Sequence, residues 1–135
     1  MTDEPNPLGD HLHALVDRLR EADGLLLLLD FDGSLAPIVE NPQAAALPEE
    51  TREAVVDLRD APSVQVGIVS GRGLADLRER VDVDDVAYAG NHGLELRVDG
   101  EEQVNPTARE MREDVDDVVE TVESELADVD GAFVE

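Results

Sequence analysis

The sequence predicts an α/β domain, a parallel sheet with flanking helices. Three observations predict it. Apolar runs of strand length alternate with stretches whose apolar residues recur at helical spacing. Each of the first three runs ends in a polar cluster that carries glycine. The order strand, helix, strand, helix, strand closes into a parallel sheet through right-handed crossovers.

From Pro7 to Ala22, Leu8, Leu12, Leu15, Val16 and Leu19 share one helical stripe, and Asp23-Gly24 stops it. The run Leu25 to Phe31 closes on Asp30-Phe31-Asp32-Gly33. Its lack of alternation predicts a strand buried on both faces. Pro48 then opens a helix with Val55 and Leu58 inward, and Ala61-Pro62 ends it. Val64 to Val69 is the second strand, ended by Ser70-Gly71-Arg72-Gly73. Leu74 to Val81 is a short helix with Leu74, Leu77 and Val81 inward. Val86 to Ala89 is a third strand, followed by Gly90-Asn91-His92-Gly93. Leu94 to Val98 and Glu101 to Val104 form a hairpin around Asp99-Gly100. Asn105-Pro106 opens one long helix carrying Met111, Val115, Val118, Val119, Val122 and Leu126. Ala132 to Glu135 reads as the start of another strand.

Composition narrows the function classes. Thirty-four acids against ten bases give a net charge of −24, and every base is arginine. That excludes a basic nucleic-acid surface, a polybasic membrane patch and a lysine nucleophile. The absence of cysteine removes disulfides, thiolate catalysis and cysteine–zinc sites. No apolar run approaches the roughly 18 residues of a membrane span, and no signal peptide opens the chain, so a cytoplasmic location is expected. Periodic hydrophobic residues, 41% of the total, argue for a folded domain inside an acidic shell. Such a shell is least costly in high salt, where the Debye length falls to about 3 Å, and it predicts a halophilic host.

Ligands of parallel sheets bind beyond the carboxyl ends of the strands, which brings residues near 30, 70 and 90 together. Asp30 and Asp32 crowd two carboxylates at one strand end. A hard divalent cation relieves that repulsion, and Mg²⁺ accepts one or two carboxylates with phosphate and water oxygens. One carboxylate so placed can attack phosphorus, and the other can move protons. Gly33 lets backbone approach an anion closely, and Ser34 can donate to it. By the chain's own residue frequencies, D-x-D-G-[ST] arises by chance with a probability of roughly 1%. Ser70 offers a hydroxyl on the neighbouring strand, Gly71 freedom for the turn, and Arg72 positive charge. Asn91, His92 and Gly93 read equally as a left-handed turn or as part of a site. His11, His13 and the acidic run Glu113 to Asp117 read as solvated helix faces.

These segments resemble a known family. Leu29-Asp30-Phe31-Asp32-Gly33-Ser34-Leu35-Ala36-Pro37-Ile38 resembles the first motif of haloacid-dehalogenase (HAD)-type phosphatases, in particular the trehalose-6-phosphate phosphatase branch. Val69-Ser70-Gly71-Arg72 is similar to its second motif, and Ala89-Gly90-Asn91-His92-Gly93-Leu94-Glu95 to the segment after its third strand. The resemblance implies a HAD-like Rossmannoid core and hydrolysis of a sugar phosphate, trehalose 6-phosphate first, through an aspartyl-phosphate with Mg²⁺. It implies Asp30 as nucleophile and metal ligand, and Asp32 as general acid and base that also binds Mg²⁺ through its carbonyl. Ser70 becomes a phosphate ligand, with Gly33, Ser34, Gly71, Arg72 and the segment Asn91-His92-Gly93 near substrate. Glu135 matches a sugar-contacting glutamate of the family's cap.

The resemblance reaches only the family's first half. Residues 1–104 match a partial core and residues 105–135 the start of an α/β cap, so the fold is expected to be truncated. The family's later lysines and acidic Mg²⁺ motif have no counterpart in this sequence. It also implies that the strand carrying Asp30, central in the family, is left here at a sheet edge. Expected partners are a sugar phosphate, a second copy or a complementary C-terminal half, with no nucleic acid and no membrane. Three other readings are a phosphatase for a different sugar phosphate, a non-catalytic or split-enzyme fragment, and a phospho-acceptor receiver domain, which the missing lysine disfavours.

Overall fold

The computed structural model describes residues 7–132 and 134. Five strands form one sheet in the order β1-β2-β3-β4-β5: β1 (Leu25–Asp30), β2 (Val64–Val69), β3 (Ala87–Gly90), β4 (Glu95–Val98) and β5 (Glu101–Val104). The first three run parallel, with Asp30 opposite Val69 and Val69 opposite Ala89. The last two join antiparallel, through Asp99 and Gly100 at positive φ. Both turn residues being left-handed is what a two-residue hairpin with matched twist requires.

Helix α1 (Leu12–Glu21) precedes β1 behind a single 3₁₀ turn, Leu8–His11. The crossovers are α2 (Glu49–Asp60) and α3 (Leu74–Val81). Both advance the sheet in one direction, so right-handed connections place both on one face. The core lies there: Val66, Ile68 and Tyr88 from the strands meet Val55, Leu74, Leu77 and Val81 from the helices. Phe31, Ala36, Ala45 and Leu47 from the loop after β1 close its top.

The opposite face corrects one expectation. β1 is not buried on both sides: Leu25, Leu27 and Leu29 turn to the helices, whereas Leu26 and Leu28 are 62% and 60% exposed. Both crossovers pack on one face, and none of the remaining described helices covers Leu26 and Leu28 on the other. The stripe Leu12, Leu15, Val16 and Leu19 of α1 is likewise exposed. The edge position of β1 agrees with the expectation.

The helix expected from Asn105 is two helices, α4 (Pro106–Glu110) and α5 (Arg112–Leu126). Asn105 caps α4 by accepting from the N–H groups of Thr107 and Ala108. The break falls at Met111, whose φ of −88° and ψ of 0° leave the helical well. Neither helix buries a residue. The third strand begins and ends one residue later than predicted. Ala132 and Val134 belong to no strand, and Phe133 and Glu135 lie outside the described residues.

Candidate active site

The parallel register brings the three polar clusters to one rim. After β1 the chain folds back on itself: Gly33 N–H donates to the Ala36 carbonyl and Ala36 N–H to that of Phe31, both at 2.8 Å. This tight reversal needs Gly33, whose φ is +83°. It buries Phe31 and leaves Asp30, Asp32, Gly33 and Ser34 exposed. The carboxylate of Asp30 has no hydrogen-bond partner among the described residues.

Asp32 is held. Arg72, from the turn after β2, donates from Nε and Nη2 to its two carboxylate oxygens, each at 2.8 Å. The same guanidinium donates to Asp76 Oδ2 at 3.2 Å and to the Pro42 carbonyl at 2.9 Å, and lies 5.6 Å from the Phe31 ring centre. Four of its five N–H groups are therefore committed. The bond to Asp32 is the main reason Arg72 is held above the ordinary arginine range. Asp76 is held below the usual carboxylate range, by the Arg80 hydrogen bond first and Arg72 second.

The second and third clusters are fastened together. Asn91 N–H donates to the Arg72 carbonyl at 2.6 Å, and His92 N–H to that of Ser70 at 3.2 Å. Ser70 is buried, and its Oγ accepts the Arg72 N–H at 3.1 Å, leaving the hydroxyl proton for another acceptor. It shapes this turn and does not cap α3. The first N–H of α3, that of Leu74, is met by Glu95 Oε2 at 2.7 Å. Asn91, His92 and Gly93 all have positive φ, so the left-handed turn is real, and His92 shares it. The two non-glycine residues carry roughly 1–2 kcal/mol of strain each. The His92 ring lies against Gly71, where a Cβ would stand 2.7 Å from the ring carbon Cε1.

The rim thus collects Asp30, Asp32, Gly33, Ser34, Ser70, Gly71, Arg72, Asn91, His92 and Gly93, and leaves Glu135 outside the described residues. The sequence reading missed Asp76, Arg80 and Glu95. The spacing of Arg72, Asp76 and Arg80, four residues apart, was the available signal for two of them. Glu95 closes the third segment that carries the resemblance, but nothing in the pattern gives it a role.

No group of three or more acidic, histidine or cysteine side chains among the described residues is arranged to hold a metal. What the rim offers a cation is the free Asp30 carboxylate and the carbonyl of Asp32, which enters no backbone bond of the turn. Two protein oxygens suit Mg²⁺, which keeps most of its shell as water and phosphate.

Comparison with known proteins agrees with this fold. A family described as Trehalose-phosphatase matches residues 28–135. An uncharacterized glycosyl hydrolase of Mycobacterium tuberculosis is 40% identical over 110 residues, 81% of this chain and 8% of its own length. Trehalose-phosphate phosphatase B of Arabidopsis thaliana is 34% identical, covering 82% of this chain and 32% of its own. Among solved structures, a trehalose-6-phosphate phosphatase related protein superposes with a TM-score of 0.74 at 23% identity, over 82% of this chain and 47% of its own. A haloacid dehalogenase-like hydrolase from B. subtilis gives 0.52 at 18%, over 74% and 33%. The chain spans less than a third of these curated relatives and less than half of these structures. A HAD-like sheet with its motifs at the strand ends, matched over residues 28–135, places this chain in the trehalose-phosphatase family.

Proposed function

We propose that this chain carries the nucleophile of a Mg²⁺-dependent sugar-phosphate phosphatase, with trehalose 6-phosphate as its substrate. The observation that carries the reading is the difference between two carboxylates on one strand end: Asp30 is free, and Asp32 is gripped by Arg72. A free carboxylate is available to attack phosphorus, and the held one is fixed in position beside it, where it can exchange a proton with the leaving or attacking oxygen. The relatives' names and the resemblance of Asn91-His92-Gly93 to the sugar-phosphatase segment favour trehalose 6-phosphate.

In this mechanism an Asp30 oxygen attacks phosphorus, and the bond from phosphorus to the sugar oxygen breaks. Asp32 gives that oxygen its proton. It then takes a proton from a water whose oxygen attacks the aspartyl-phosphate, and inorganic phosphate leaves as the bond to Asp30 breaks. The Ser70 hydroxyl would donate to a phosphate oxygen, with the backbone N–H groups of Ser34 and Gly71 to assist; the Gly33 N–H is already given to the Ala36 carbonyl, and Gly33 contributes the turn. The segment Asn91, His92 and Gly93 would lie near the substrate. Asp30 and the Asp32 carbonyl would hold Mg²⁺, which supplies charge compensation for a phosphate beside two carboxylates. Residues 105–135 would begin a cap, and Glu135 is the residue that the resemblance assigns to the sugar.

The test is phosphate release from a panel of sugar phosphates, with the chain alone and mixed with a separately made C-terminal half of a relative. Release is expected chiefly from trehalose 6-phosphate and in the mixture. It is expected to vanish in Asp30→Asn. Equal release by that variant overturns the reading.

A further inference from the structure

We propose that Asp76 is a positioning residue of this site, fixing the Arg72 guanidinium so that two of its N–H groups stay aimed at the Asp32 carboxylate. The proposal rests on Asp32 being the proton-transfer residue. It starts from a difficulty. An exposed arginine–aspartate pair is weak and mobile by itself, because a long side chain must be held in one geometry. Asp32 is 42% exposed, yet Arg72 meets it with both arms of the fork. Something else fixes Arg72.

The fixing elements form a closed circuit. Arg72, Asp76 and Arg80 stand four residues apart along one face of α3 and the turn before it. Asp76 accepts from Arg72 Nη1 through Oδ2, and from Arg80 Nε through both oxygens at 2.9 and 2.8 Å. Arg80 spends its remaining groups on the loop after β1: the carbonyls of Gln43 and Ala45, at 3.1 and 2.6 Å, and Gln43 Oε1 at 3.1 Å. That loop returns to Arg72 through the Pro42 carbonyl. Both arginine side chains are nearly covered, at 12% and 13% exposure, while Asp76 between them keeps 41% of its surface open, so the arginines and not the carboxylate are the covered members of the circuit.

Asp76 is the one carboxylate shared by both arginines. Removing its charge opens the circuit without altering Asp30, Asp32 or Ser70. The Nη1 side of Arg72 then loses its anchor, and the fork swings on Asp32 and Pro42 alone. Arg72 accordingly acts on the reaction through Asp32, and four committed N–H groups leave it little to offer a phosphate directly.

The experiment follows hydrogen exchange of the arginine Nε–H groups by nitrogen-15 NMR on the free 135-residue chain. In Asp76→Asn, exchange at Arg72 is expected to quicken at least about tenfold, with Arg78 unchanged as an internal control. Asp76→Glu, which keeps the charge, is expected to restore most of the protection. Should Asp76→Asn fail to fold, Arg80→Gln, which leaves Asp76 unsupported, gives the same change at smaller size. Unaltered Arg72 exchange in the folded variant, or equal loss at Arg78, overturns the positioning role. Turnover is read separately in the reconstituted mixture. There Asp76→Asn is expected to lower kcat about tenfold or more, with KM held within about twofold. A wild-type mixture without turnover counts against the phosphatase reading alone, and the exchange result still decides the role of Asp76.

Discussion

At the scale of residues, the site is built from close backbone approaches as much as from side chains. Gly90 is the sharpest case. A Cβ there would stand 2.5 Å from the Leu74 nitrogen and 2.7 Å from its Cα, both backbone atoms. Gly90→Ala must push α3 away from β3, and overpacking of this kind costs roughly 1–3 kcal/mol. Denaturant melts check it, and an unchanged midpoint would show that the two elements are not in register as described. Much of the site was legible at this scale because Asp30, Asp32, Ser70 and Arg72 follow directly on apolar runs. What stayed hidden is the pairing. No one-dimensional pattern says that Arg72 turns to Asp32 instead of to an anion, since residues 40 apart meet only through the β1–β2 register. Glu95 was hidden for the same reason, because its partner is a backbone N–H on a different element.

At the scale of elements, the structure sorts strands by what covers them. β3 is anchored by Tyr88, which is buried and donates its O–H to the Val83 carbonyl at 2.6 Å. Burial is the main reason its phenol is raised above the usual tyrosine value. The sign follows from the neutral form being preferred in the folded state. Tyr88 leaves stability unchanged below the ordinary tyrosine value of about 10, and subtracts from it as pH rises beyond that. It is the sole tyrosine, and there is no tryptophan, so phenolate absorbance reports this residue alone. Phenolate should appear only as circular dichroism is lost; phenolate in a still-folded chain at the ordinary value would contradict the burial. Element positions were legible wherever punctuation was strong, as for α3 between Gly73 and Asp82 and for the hairpin at Asp99-Gly100. Two features escaped. The five leucines of β1 read as buried on both faces, but pattern alone does not reveal how many helices exist to cover them. The break at Met111 carries no glycine or proline to announce it.

At the scale of the whole molecule, two forces oppose one another. A charge of −24 repels a second copy, while the free edge of β1, with Leu26 and Leu28 exposed and no lysine or proline to blunt it, invites one. Salt decides which wins, because screening weakens the repulsion and leaves apolar contact intact. Light scattering should therefore show association growing from about 0.1 M to about 2 M KCl, alongside a rising Tm, as the screening of an acidic shell requires. Leu28→Lys should hold the chain monomeric across that range. Association unaffected by that substitution would place the contact elsewhere. No described helix is long and apolar enough to cross a membrane. The charge balance also bears on chemistry. Arg72 is spent on Asp32 and Asp76, so a phosphate at Asp30 meets little positive charge, and the chain alone should turn over near background. Trapping a phosphate mimic separates the nucleophile from turnover and tests the central claim most directly. Fluorine NMR of the chain with Mg²⁺ and beryllofluoride should show a bound resonance that disappears in Asp30→Asn. The same resonance in that variant, or none in the wild type, would contradict Asp30 as the nucleophile.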